Sequence, residues 1–106
     1  MHFPTWLYLT ASIVFEVAGT TSMKLSDGFS RLVPSVLIFV FYGISFYAFT
    51  LALKKMDLSV AYAVWAGSGT ALVAIIGMIW FNDTVTALKL VCLGLVIIGV
   101  TGLNYA

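Results

Sequence analysis

The chain has 106 residues, of which 62% are hydrophobic against roughly 45–50% in soluble globular proteins, and 8% charged against roughly 25%. So small a domain exposes more surface than five Lys or Arg and four Asp or Glu could cover in water, which excludes a soluble fold and points to a membrane protein. The formal net charge of +1 comes without a basic face for nucleic acid; with one cysteine (Cys92) and one histidine (His2), no internal disulfide, metal site, cofactor or hydrolytic triad is expected, and the chain is not read as an enzyme.

Charge-free runs extend from Leu32 to Leu53, from Leu58 to Asn82 and from Leu90 to Ala106, and an opening run to Met23 is broken only by Glu16. A hydrocarbon core about 30 Å thick takes ~20 helical residues per crossing, so four crossings use ~80 residues and leave only short loops. The pattern predicts helices at Pro4–Met23, Leu32–Leu53, Leu58–Phe81 and Thr86–Tyr105, a single four-helix transmembrane domain over 1–106. A transmembrane barrel would alternate polar and apolar positions, whereas these runs are apolar on every face. The fold class expected is an all-α membrane protein.

The first span lacks a basic leader and carries Glu16 where a signal peptide would be uninterrupted, so it is read as a retained helix. An ionised carboxylate at mid-membrane costs at least ~2.5–3.5 kcal/mol, which makes Glu16 a functional residue by default, able to hold either a proton or a cation. The plainer alternative is a protonated glutamate that only joins two helices. Ser12, Gly19, Thr20 and Met23 fall on the Glu16 face at spacings of three, four and seven, a polar and small stripe with room for a backbone or a ligand. The loop from Lys24 to Arg31 then reads as a polar turn, with Gly28 suited to positive φ.

In the second span Tyr42, Ser45, Phe46 and Phe49 define one face, either pocket wall or core. In the third, Tyr62, Trp65, Ala66 and Gly69 share a face. Aromatic faces attract organic cations, and beside the one intramembrane acid they suggest a cation pocket. Gly67 and Gly69 weaken the helix by about 1 kcal/mol each relative to Ala, which fits either a kink that bends during function or close packing. In the fourth span Gly94, Gly99 and Gly102, with Cys92, offer small positions and no ionisable group, the look of an oligomer contact. Trp6, Tyr8, Trp80 and Tyr105 lie near span ends, as interfacial aromatics do.

Lys24, Arg31 and Lys89 fall on one side of the membrane and Lys54 and Lys55 on the other, three against two. The positive-inside rule acts through such a bias, so its near absence would let the chain insert both ways and opposite copies pair, unless His2 and the amino terminus impose one orientation.

Several segments then resemble a known family, the small multidrug resistance (SMR) transporters, over practically the whole chain: Phe15-Glu16-Val17-Ala18-Gly19-Thr20, Met23-Lys24-Leu25-Ser26-Asp27-Gly28-Phe29, Arg31-Leu32-Val33-Pro34-Ser35 and Ala61-Tyr62-Ala63-Val64-Trp65-Ala66-Gly67-Ser68-Gly69. The resemblance implies an antiparallel, dual-topology homodimer of four-helix subunits in the bacterial cytoplasmic (inner) membrane, exporting small organic cations in exchange for protons. It implies that Glu16 is the shared proton and substrate site, that Tyr42, Tyr62 and Trp65 belong to the pocket, and that Gly67 and Gly69 form a third-helix kink. It further implies that the fourth span pairs at Gly99, with Cys92 where many members carry glycine. Guanidinium exporters usually have a tryptophan three residues after the membrane glutamate; Gly19 stands there in this chain, which resembles the quaternary ammonium and multidrug branch. The stretch Asp57–Tyr62 also looks like subunits of a polyamine-exporting pair. The expected function is a proton-coupled antiporter for hydrophobic or quaternary ammonium cations, with guanidinium or polyamine export, or a non-transporting structural subunit, as alternatives.

Overall fold

The computed structural model describes residues 3–105, so His2 lies outside the described residues. Four helices follow in order: α1 (Phe3–Leu25), α2 (Leu32–Ala52), α3 (Leu58–Trp80) and α4 (Ala87–Asn104). Their starts and ends lie within two residues of those predicted, and local chemistry explains the shifts. Thr86 is the N-cap of α4, outside the helix proper, because its hydroxyl accepts from the Lys89 backbone N–H at 3.0 Å. The α1–α2 turn begins later than its charges suggested, since α1 continues through Lys24 and Leu25. Asp27, Gly28 and Phe29 all take positive φ (50°, 69° and 67°). Ser26, almost fully buried, ties that turn together by donating its hydroxyl to Met23 O and accepting from the Phe29 N–H.

Three of the four helices, α2, α3 and α4, are long and apolar enough to cross a membrane by composition alone. The first helix has the length, at 23 residues, but carries Ser, Thr, Gly and Glu16 through its second half. The reason appears in the packing. The α1 helix lies against both α2 and α3, and Thr5, Ser12, Gly19 and Ser22 are buried there, facing protein rather than hydrocarbon. Ser12 is fully buried, donating its hydroxyl to Leu9 O and accepting, through its backbone carbonyl, the Ser45 hydroxyl of α2 at 2.6 Å. On the next stripe Leu9, Ile13 and Val17 form the apolar core with Ala52, flanked by Phe49, Val64, Trp65, Val73 and Ile76.

The fourth helix stands apart. It packs on α3, contains no buried residue among those described, and meets its neighbour where Gly67 lies against Val100 and Val96. The molecule is flattened, with principal extents of 42 × 35 × 17 Å. A slab of this shape cannot enclose its own site from all directions. Helix α3 runs unbroken through Gly67 and Gly69, so the expected kink is not an interruption of the helix, and both glycines serve as contact points.

A Cβ at Gly67 would overlap a Val100 methyl, so Gly67→Val should separate α4 from α3 and destabilise the fold by ~1–3 kcal/mol, the usual range for overpacking. Thermal unfolding in detergent should show a lowered midpoint for Gly67→Val and none for Gly43→Ala, a position with open space beside it.

Candidate functional site

Glu16 lies near the middle of α1, half-buried between α2 and α3. One carboxylate oxygen, Oε2, accepts the Thr20 hydroxyl at 2.8 Å, a bond that one helical turn of separation makes geometrically natural. The same Thr20 oxygen is hydrogen-bonded to the Tyr42 hydroxyl of α2. A threonine hydroxyl has one proton to donate; with that proton on Glu16, the phenol must be the donor to Thr20. The three groups form a directed chain, Tyr42 to Thr20 to Glu16, joining α2 to the carboxylate.

The other oxygen, Oε1, lies against α3 at Gly69, so closely that a Cβ there would overlap it. Glu16 opens on a cavity of about 460 Å³ whose walls are Thr20 of α1 and Trp65, Ala66, Gly69, Thr70, Val73 and Ala74 of α3. The cavity is mainly apolar, with one carboxylate and one indole. Trp65 is held by Phe49 at 5.2 Å and Tyr62 at 5.6 Å between ring centroids, a three-ring cluster bridging α2 and α3. Its indole N–H is buried without a hydrogen-bond partner. Such orphaned donors are uncommon in packed interiors.

The predicted site residues divide in this arrangement. Glu16, Thr20, Trp65, Ala66 and Gly69 are brought together around the cavity. Tyr42 reaches it through Thr20. Tyr62 supports Trp65 but is 55% exposed, and Phe46, its ring tilted against Tyr42 at 5.8 Å, is 54% exposed. Ser12 and Ser45 are spent on the α1–α2 contact and do not line the cavity, because each hydroxyl is committed to a backbone carbonyl. Met23 is exposed at the end of α1.

Gly19 differs from expectation in a useful way. Its open side does not leave room beside Glu16; it is filled by the Tyr42 ring, which a Cβ would meet at 2.9 Å. The glycine thereby seats the phenol that reaches Thr20, and a bulky side chain at this position would have to displace Tyr42. Val73 and Thr70 escaped the sequence reading. Val73 continues the Tyr62, Trp65, Ala66, Gly69 face by one more turn, so the same periodicity carried further would have found it. Gly94 and Gly99 have nothing within 4 Å of a built Cβ. They face open space in the single chain.

Four helices, three of them gathered around a half-buried carboxylate, define a multi-pass membrane protein with an acid-lined cavity. The chain matches the family described as Small Multidrug Resistance protein over residues 4–96 and belongs to it. It is 50% identical over 99 residues to the uncharacterized membrane protein YvaE of Bacillus subtilis, covering 93% of this chain and 83% of the relative. It is 44% identical to the quaternary ammonium compound-resistance protein QacF of Klebsiella aerogenes over 99 residues, 93% of this chain and 90% of the other. With the multidrug resistance protein EbrA of Bacillus atrophaeus it shares 40% over 100 residues, 94% and 95% of the two chains. The chain is thus a bacterial multi-pass membrane protein of the drug-efflux transporter class, not an enzyme.

Because Tyr42 acts on Glu16 through Thr20, substitutions along the chain should not add. Thr20→Val should destabilise the fold by ~1.5–3 kcal/mol, the order expected for losing a hydrogen bond to a charged group. Tyr42→Phe should have a smaller effect, and the double variant should be no worse than Thr20→Val, as measured by thermal unfolding in detergent.

Proposed function

We propose that this protein exports hydrophobic and quaternary ammonium cations in exchange for protons, with both competing for Glu16. The observation that carries the reading is the setting of that carboxylate: it is the one acid on the cavity wall, and the wall opposite is aromatic and apolar. A diffuse organic cation gains from the charge of Glu16 and the face of Trp65 without needing directional acceptors. Guanidinium would leave fixed donors unpaired on such a wall. The names of the relatives, which speak of quaternary ammonium compounds and multidrug resistance, agree with this preference.

Competition gives coupling. A proton arriving on Glu16 removes the charge that holds the cation and releases it; loss of the proton on the other side restores the site. Thr20 donates to the carboxylate directly, and Tyr42 orients Thr20 from α2.

The working unit in this reading is an antiparallel homodimer. The slab-like shape and the bare face of α4 around Gly94 and Gly99 both support pairing with a second copy. Opposed copies would supply the inverted symmetry that larger transporters obtain from internal repeats, and exchange of conformations between them would alternate access. The charge balance of three Lys or Arg against two supports insertion both ways. In this reading the close contacts at Gly67 and Gly69 are also where α3 bends as the copies exchange.

The test is proton release. Adding tetraphenylphosphonium to purified protein in weak buffer should liberate protons, and Glu16→Gln should liberate none while remaining folded, since it keeps the shape but cannot titrate. Release by Glu16→Gln equal to that of the unaltered chain would remove the mechanism. For the wall, Trp65→Ala should weaken tetraphenylphosphonium binding about tenfold or more, whereas Ser59→Ala, on the exposed first turn of α3, should change it less than twofold. Equal effects would reject the aromatic wall as the cation's partner.

A further inference from the structure

A second cavity, of about 180 Å³, lies between the loop-side ends of α1 and α3. Thr20 and Val73 line both this space and the Glu16 cavity, so the two adjoin at the residue that is hydrogen-bonded to Glu16. Its outer end carries two charged side chains, Lys24 from the last turn of α1 and Asp83 from the segment after α3. The space therefore adjoins the Glu16 cavity on its loop side, with a lysine and an aspartate on its wall.

Asp83 is placed there by three features of the chain. Asn82 takes a left-handed conformation, φ 57°, which turns the backbone at the end of α3. The Asp83 N–H then donates to Gly77 O at 2.9 Å, a bond that folds the segment back over the final turn of the helix. Gly77 is buried and without a side chain, and a Cβ there would overlap Asp83 Oδ2. The carboxylate is thus seated in a notch that only glycine leaves open. Its position opposes simple electrostatics, since the C-terminal end of a helix carries partial negative charge and disfavours an anion. Lys24, on the same cavity, supplies an offsetting positive charge.

We propose that Asp83 is a specificity-determining residue for cation access: seated on Gly77, it offsets Lys24 at the mouth of the passage to Glu16, so that an organic cation is not repelled before it reaches the site. This rests on the cation-exchange reading above. Without Asp83 the mouth holds an uncompensated lysine, whose field in a narrow, low-dielectric passage acts on every arriving cation. The effect falls on the rate of arrival and spares the bound complex, because neither side chain lines the Glu16 cavity.

The experiment is stopped-flow binding of tetraphenylphosphonium to the purified full chain in nanodiscs of neutral lipid. At about 20 mM salt, Asp83→Asn should lower the association rate constant roughly three- to tenfold and leave dissociation unchanged. Lys24→Met combined with Asp83→Asn should restore association to within about twofold, and about 1 M salt, where the screening length is ~3 Å, should erase the difference between Asp83→Asn and the unaltered chain. Gly77→Ala, which removes the notch, should slow association in the same salt-dependent way.

A purely structural role for Asp83 as a helix-end device would instead lower stability and be insensitive both to Lys24→Met and to salt, and that outcome overturns the proposal. So does unchanged association in Asp83→Asn at low salt. Either result leaves Glu16-dependent proton release intact. Loss of that release in the unaltered chain would identify the exchange reading as the part that failed, and this inference with it.

Discussion

A carboxylate placed in hydrocarbon has to be surrounded by groups that make its charge tolerable, and most of the structure follows from meeting that demand for Glu16. The Thr20 hydroxyl one turn away donates to it, and Tyr42 donates to Thr20 in turn. For the phenol to reach that far, α2 has to approach α1 closely, and Gly19 permits the approach by receiving the ring. For the other oxygen to be accommodated, α3 has to come close as well, and Gly69 permits that. The two glycines, on different helices, are therefore consequences of one acid. So is the composition of α1, too polar to qualify as a span by composition alone yet enclosed on the faces where its polar groups lie.

The same demand explains why the chain is so unevenly packed. Helices α1, α2 and α3 gather around the carboxylate and share the core of Leu9, Ile13, Val17 and Ala52, whereas α4 attaches through Gly67 alone of the glycines and buries nothing fully. In water such a helix would be a liability, with Leu88, Leu95 and Ile98 more than half exposed. In a bilayer it is not, because lipid tails solvate those side chains as well as protein does, and association there depends on shape and small residues instead. The cavity beside Glu16 is likewise open on one side.

Much of this was legible without coordinates. Charge-free runs of membrane-spanning length gave four helices to within two residues at each boundary, because hydrocarbon forbids unpaired backbone and leaves helix as the local solution. Glu16 stood out for the same reason, and the i, i+3, i+4 spacing of Thr20, and of Trp65, Ala66 and Gly69 about one another, placed them on common faces that the fold brings together. Periodicity failed where a face had to be divided between neighbours. Ser12 and Ser45 lie on the right faces by spacing, yet both are consumed by the α1–α2 contact; Gly19 sits beside Glu16 in sequence, yet its open side belongs to Tyr42.

What the amino-acid sequence determined by itself was the solvent, the number of spans, the one acid within them and the residues sharing each helical face, since these depend only on local composition and on 3.6 residues per turn. The tertiary structure alone decided which of those residues meet. It chose Thr20 as the link between Tyr42 and Glu16, set Gly69 against the carboxylate and Gly67 against α4, and folded Asp83 back onto Gly77 beside the cavity that Lys24 lines. Those choices depend on how far apart two helices lie and how each is rotated, and that is fixed by side chains distant in the chain that touch only once the helices have packed.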